Sequence, residues 1–166
     1  MICRNCFSGK VSVALHHLQL FPVNKKATFQ IHIDSLDNMK LAVTGPTKTN
    51  LPVQVTGNVK NGFLAEFLPQ EVGPYDISIK YNNVLVGGTP FTGQAYDASK
   101  IVVLVPWGTI STSKPVEFTI DTSKAGKGDL GIAIFERGRK IPPQLRTLGS
   151  AKFAVSFVPL DGLRLL

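Results

Sequence analysis

The sequence predicts an all-β chain built as two β-sandwiches in tandem, and three observations carry that reading. The first is an internal repeat. Phe67-Leu68-Pro69 returns as Phe157-Val158-Pro159, an offset of 90 (157 − 67). Ala27-Thr28-Phe29-Gln30-Ile31-His32-Ile33-Asp34 returns as Val116-Glu117-Phe118-Thr119-Ile120-Asp121, with Phe29 and Phe118 standing 89 apart (118 − 29). The second is strict alternation of apolar and polar residues between turn signals, the mark of half-buried strands. The third is that no stretch sustains a helical period.

A period near ninety is too long for a solenoid unit of roughly 20–50 residues. It matches an immunoglobulin-type sandwich of roughly 100 residues. The 166 residues are 43% hydrophobic, enough for folded cores. The domains expected are a disordered tail over residues 1–10, a first sandwich over 11–97 and a second over 98–166.

Each strand of the first copy has a local reason. Thr28 to Ile33 sets Phe29, Ile31 and Ile33 against Thr28, Gln30 and His32. Leu41-Ala42-Val43 ends at Thr44-Gly45-Pro46, where glycine and proline break a strand. Leu51 to Val55 carries Pro52, which suits one edge strand because proline donates nothing to a ladder. Asn61-Gly62 signals a turn into Phe63–Phe67. Tyr75, Ile77, Ile79 and Tyr81 share one face of the next strand, and Gly87-Gly88-Thr89-Pro90 introduces a last one from Phe91.

A short polar link, Asp97-Ala98-Ser99-Lys100, leads into Ile101–Val105. The second copy then predicts strands at Val116–Asp121, Leu130–Phe135, Gln144–Leu148 and Ala151–Phe157. Nothing in it corresponds to residues 76–97. A sandwich short of two strands exposes apolar faces and open edges. Either the chain is a fragment of a longer one or a partner supplies the missing strands.

Composition bounds the function. No apolar run approaches the ~20 residues of a membrane span, so no membrane insertion is expected. Residues 1–10 do not resemble a signal peptide, no Asn-X-Ser/Thr sequon occurs, and Cys3 and Cys6 are the only cysteines. Together these favour a reducing, cytoplasmic setting. The net charge of +7 is uneven: residues 1–10 carry +2, residues 11–97 are neutral and residues 98–166 carry +5. The excess is densest at Arg137, Arg139 and Lys140, a basic patch on a loop or strand end that can attract an acidic surface.

No catalytic or metal constellation stands out. Cys3-Arg4-Asn5-Cys6 has the spacing of half a zinc site, but a structural site needs four ligands and no second pair exists. His32 reads as the solvent-facing member of an alternating strand. Ala125-Gly126-Lys127-Gly128-Asp129 lacks the spacing and following helix of a phosphate loop; Gly126 and Gly128 instead suit positive φ between strands. Ser113, Ser123 and Ser150 have no base in a nucleophile motif. The expectation is no enzyme, no cofactor, no metal and no nucleic acid.

The motifs resemble the immunoglobulin-like rod repeats of filamin. Gly73-Pro74-Tyr75-Asp76-Ile77-Ser78-Ile79-Lys80-Tyr81, followed by Val86-Gly87-Gly88-Thr89-Pro90-Phe91-Thr92, is similar to the family's closing signature. Pro115-Val116-Glu117-Phe118-Thr119-Ile120-Asp121 with Ala125-Gly126-Lys127-Gly128-Asp129-Leu130 is similar to its opening one. Departures are confined to loops: Ser35-Leu36-Asp37-Asn38-Met39 replaces the usual Ala-Gly-x-Gly turn, and Glu136-Arg137-Gly138 stands where the first copy has Thr44-Gly45-Pro46.

The resemblance implies a non-catalytic rod segment of an actin cross-linking scaffold in the cytoplasmic cytoskeleton. It implies that cytoplasmic tails of membrane and signalling proteins dock by strand addition between the third and fourth strands. The groove residues would be Leu41, Val43, Val53 and Val55 in the first copy and Ile132, Ile134, Leu145 and Thr147 in the second. No calponin-homology segment is present, so strong direct F-actin binding is not expected of this chain and the actin cytoskeleton is a partner that can be reached indirectly. The rival expectation is an extracellular immunoglobulin-like adhesion module.

Overall fold

The computed structural model describes residues 5–8, 11–14, 18–34, 38–105, 108–110, 114–160 and 163–165. The chain divides into two compact units, Met1–Asp97 and Ala98–Leu166.

The strands of the first unit, in order, are β1 (Asn5–Ser8), β2 (Val11–Ala14), β3 (Leu20–Pro22), β4 (Ala27–Ile33), β5 (Met39–Thr44), β6 (Asn50–Leu51), β7 (Gln54–Asn58), β8 (Gly62–Phe67), β9 (Gly73–Tyr81), β10 (Val84–Leu85) and β11 (Phe91–Tyr96). They form two sheets, β1-β2-β4-β8-β7 and β3-β11-β9-β5-β6, with β10 added to β9. The alternation read in the sequence becomes burial: Ala27, Phe29, Ile31 and Ile33 of β4 meet Tyr75, Ile77 and Ile79 of β9 in one core. An aromatic cluster ties the sheets, with Phe21 of β3 edge-on to Phe67 of β8 and to Tyr75 of β9, both at 5.6 Å.

Tyr75 shows why an aromatic with a polar tip is needed there. Its ring is 1% exposed, while its hydroxyl donates to the Glu71 carbonyl at 2.9 Å and accepts from the Glu71 N–H at 3.1 Å. The buried hydroxyl is therefore satisfied, as in the tyrosine corner of other sandwiches. Asn82 and Asn83, at φ 51° and 61°, make the two-residue turn between β9 and β10.

Two local expectations need correction. The tail does not remain outside the fold over residues 5–8: β1 pairs antiparallel with β2, Cys6 opposite Val13. An edge strand offers a ladder to any extended neighbour, and here the preceding segment takes it. The predicted strand Leu51–Val55 is two strands in different sheets, β6 and β7, and the chain leaves one sheet for the other at Pro52 and Val53. Proline cannot donate to a continuing ladder, so the crossing falls there.

The second unit opens with a 3₁₀ turn, Ala98–Lys100. It continues with β12 (Val102–Leu104), β13 (Gly108–Ile110), β14 (Val116–Asp121), β15 (Ile134–Glu136), β16 (Arg139–Ile141), β17 (Gln144–Gly149), β18 (Lys152–Phe157) and β19 (Leu163–Leu165). Its main sheet is β12-β14-β18-β17, beside the separate pairs β13-β19 and β15-β16.

The sequence repeat is reproduced pair by pair. Ala27 faces Phe67 and Phe29 faces Ala65 in the first unit; Val116 faces Phe157 and Phe118 faces Val155 in the second. Val55 opposite Ala65 becomes Leu145 opposite Val155, and Val13 opposite Ile31 becomes Val103 opposite Ile120. The expected strand Leu130–Phe135 is cut to Ile134–Glu136. Its counterpart β5 is held by β9 along all six residues, and among the described residues the second unit has no strand equivalent to β9. Without a ladder partner, the start of the segment stays irregular.

Candidate partner-docking site

In the first unit β5 has one complete neighbour and one partial one. It pairs with β9 from Met39 to Thr44, but with β6 only at Val43 and Thr44. Among the described residues, Met39–Ala42 therefore have no strand on the side away from β9. The adjacent strand of the other sheet, β7, is also an edge. Met39 and Leu41 of β5, Leu51 of β6, Val55 of β7 and Val53 between the last two are half-buried against the core. An open ladder beside apolar side chains is what an extended peptide needs: backbone bonds from the edge and pockets for alternate residues.

Of the residues expected to line the first groove, Leu41 lies on β5, Val55 on β7 and Val53 at the crossing between β6 and β7, each half-buried. Val43 is not: it is 0% exposed, paired on both sides, and belongs to the core. Met39 and Leu51, not among the residues expected to line the groove, are also half-buried against the core. The Met39-x-Leu41-x-Val43 alternation pointed to the first; the second followed only from the way β6 closes on β5.

The second unit does not rebuild this arrangement. Ile132 is half-buried outside any strand, and Ile134 is half-buried in β15. Leu145 and Thr147 are exposed on β17, whose partner is β18. Among the described residues β15 pairs with β16, in place of the six-residue pairing that β5 makes with β9.

The basic residues sit on the β15–β16 hairpin. Arg137 and Gly138, at φ 46° and 81°, form its two-residue turn, and exposed Arg139 and Lys140 follow in β16. Beside them Glu136 is only 4% exposed, and its carboxylate accepts the Leu160 N–H at 2.8 Å. That bond anchors the hairpin to the segment after β18.

The residues weighed for chemistry take structural places. His32 is exposed on β4, with its imidazole against Gly62, where an added Cβ would lie 2.6 Å from the ring. The turn after β14 is organised by Asp121, which accepts the Ser123 N–H at 2.9 Å, and by Ala125 N–H donating to the Thr122 carbonyl. Hydrogen bonds from the Ser123 side chain and backbone, then Lys152 at 3.2 Å, lower the Asp121 pKa to about 2. Gly126 has the expected positive φ of 91°; Gly128 does not. Ser123 is thus a turn residue, Ser150 lies at φ 49° in the β17–β18 loop, and Ser113 and Cys3 fall outside the described residues. Among the described residues no three metal-binding side chains converge, and no helix is long and apolar enough to cross a membrane.

A family model described as the Filamin/ABP280 repeat matches residues 5–92, more than half of the chain. The chain belongs to the filamin repeat family. The match begins with β1, in keeping with that strand's place in the first sheet. Filamin-C of Rattus norvegicus is 34% identical over 128 residues, covering 73% of this chain. Filamin-A of Drosophila melanogaster is 26% identical over 147 residues, covering 82%. Both alignments are longer than the first unit, so the likeness continues into the second. The chain spans only about a twentieth of these relatives, 5% and 6% of their lengths. Among solved structures, the Escherichia coli adhesin FdeC superposes with a TM-score of 0.57 at 9% identity, over 95% of this chain and 58% of that one. That likeness carries the fold alone.

Proposed function

We propose that this filamin-type segment is a non-catalytic part of a cytoplasmic actin cross-linking scaffold. In this reading its repeats space filaments, and the first repeat docks cytoplasmic tails of membrane and signalling proteins as an added strand on β5. The observation that carries the docking role is the β5 edge, unpaired from Met39 to Ala42 beside Leu41, Val53 and Val55. Strand addition there uses peptide backbone for affinity and those side chains for selection. The basic hairpin of the second unit favours acidic partner segments. No observation specific to an extracellular adhesion module supports that rival.

The test is titration of the full chain with extended peptides of alternating apolar and polar residues, read by amide hydrogen exchange and NMR. Slowed exchange at residues 39–42, with shifts at Leu41, Val53 and Val55, is the expected result. Exchange at those amides unchanged while peptide binds elsewhere would overturn the site. Co-sedimentation with F-actin at low and physiological salt separates a direct filament contact, which survives salt, from screened attraction, which does not.

A further inference from the structure

The edge of the second unit's main sheet lacks the cover that its counterpart has. β12 and β2 occupy the same place, with Val103 opposite Ile120 as Val13 is opposite Ile31. β2 carries β1 on its outer side; among the described residues, no strand lies on the outer side of β12. Val13 is 1% exposed, whereas Val102, Val103 and Leu104 are 50%, 49% and 62% exposed. Successive strand residues point to opposite faces, so both faces of this edge are apolar and open. Folded proteins normally blunt such an edge with a charge, a proline or a bulge. Residues 101–105, Ile-Val-Val-Leu-Val, contain no charge and no proline, and β12 pairs with β14 without a bulge.

We propose that β12 pairs antiparallel with β12 of a second copy of this chain, joining two four-stranded sheets edge to edge. β1 on β2 shows that this edge of the fold takes an antiparallel strand in simple register. Charge placement selects the second copy and the edge. A two-fold centred on Val103 sets Val102 against Leu104 of the second copy and Lys100 against its Pro106, so no like charges meet. The opposite edge, β17, carries Arg146 near its centre and would oppose cation to cation or crowd them. β12 itself carries no charge and lies three strands away from Arg146 of β17. Each copy brings three exposed side chains, far less than the roughly 800 Å² per partner of a standard interface, so the pairing is weak.

Analytical ultracentrifugation of the full chain from ~10 µM to ~1 mM tests this, the range in which weak contacts of this size associate. The mass should rise above 18.0 kDa toward twice that value with concentration. Val103→Lys should weaken association at least about tenfold, the loss of ~1.4 kcal/mol, and Leu145→Lys on the opposite edge should leave it unchanged. A covalent readout guards against misfolding of the lysine variant. With Cys3 and Cys6 replaced by serine, Val103→Cys should oxidise to a dimer, because facing residues of an antiparallel pair lie roughly 4.5–5.5 Å apart at Cα, within disulfide reach. A mass fixed at the monomer, association that survives Val103→Lys, loss with Leu145→Lys, or no disulfide from an associating Val103→Cys chain would each overturn the proposal.

Discussion

Val13 and Val103 occupy the same position in two copies of one sheet, yet the first is sealed and the second half exposed. The same holds for Phe67, packed between Phe21 and Tyr75, and Phe157, half-buried with Phe118 as its ring partner at 6.4 Å. Strand sequence and register are alike in the two units. What differs is the opposing sheet: β9 and β11 close the first sandwich, and among the described residues the second has no equivalent. Register is thus a property of one sheet and its alternation, whereas burial belongs to the pair of sheets.

The sharpest way to probe this comparison is to truncate the paired phenylalanines. Phe67→Ala should cost about 3–5 kcal/mol, the usual range for a sealed aromatic. Phe157→Ala should cost about 1–2 kcal/mol, because its ring keeps part of its water in the folded state. Urea unfolding separates the two: all three tyrosines, Tyr75, Tyr81 and Tyr96, belong to the first unit and Trp107 to the second. Equal costs would mean that the second unit's face is closed in solution.

A smaller effect tests the opposing sheet of the first unit alone. A Cβ on Gly93 of β11 would lie 2.2 Å from the Leu18 carbonyl oxygen and 2.6 Å from the Phe21 ring. Gly93→Ala should therefore push β3 away from β11 and cost about 2–3 kcal/mol, as overpacking does. The tyrosine-reported transition should move to lower urea while the tryptophan-reported one stays in place.

The smallest effect belongs to the second unit and to acid. Asp121 titrates at about 2 in the folded chain against an ordinary 3.8, held down by Ser123 and then Lys152. Its folded pKa is the lower one, so its contribution is present above about pH 4 and is lost as pH falls towards 2. Melting curves across that window should show the second unit of the wild type losing this increment. Asp121→Asn should begin less stable at neutral pH and fall less; equal pH slopes would remove Asp121 from the account.

Much of the fold was legible because it is written in alternation. Phe29, Ile31 and Ile33 named the inner face of β4, and the 89- and 90-residue offsets carried that face, with its strand partners, into the second unit. The proposed docking site was less legible. Leu41, Val53 and Val55 were chosen as apolar residues of strands expected to flank it, and Val53 falls between β6 and β7 rather than in a strand. Val43 has the same sequence character, and only its two flanking strands make it core. Pro52 was read as part of one edge strand; β6 and β7 are both edges, and Pro52 lies where the chain changes sheet between them. Ile132 and Ile134 looked like parts of one strand by composition, but only Ile134 is in a strand, where the β16 ladder meets it.

By itself, then, the sequence determined the all-β class, the two copies, their inner faces and their membership in the filamin repeat family, because strand period and turn chemistry are local. Tertiary structure alone decided that residues 5–8 join a sheet and that, among the described residues, no strand covers β5 from Met39 to Ala42 or the outer side of β12. Those outcomes depend on which distant strand arrives to cover an edge or a face, and a residue's own sequence neighbours do not contain that information.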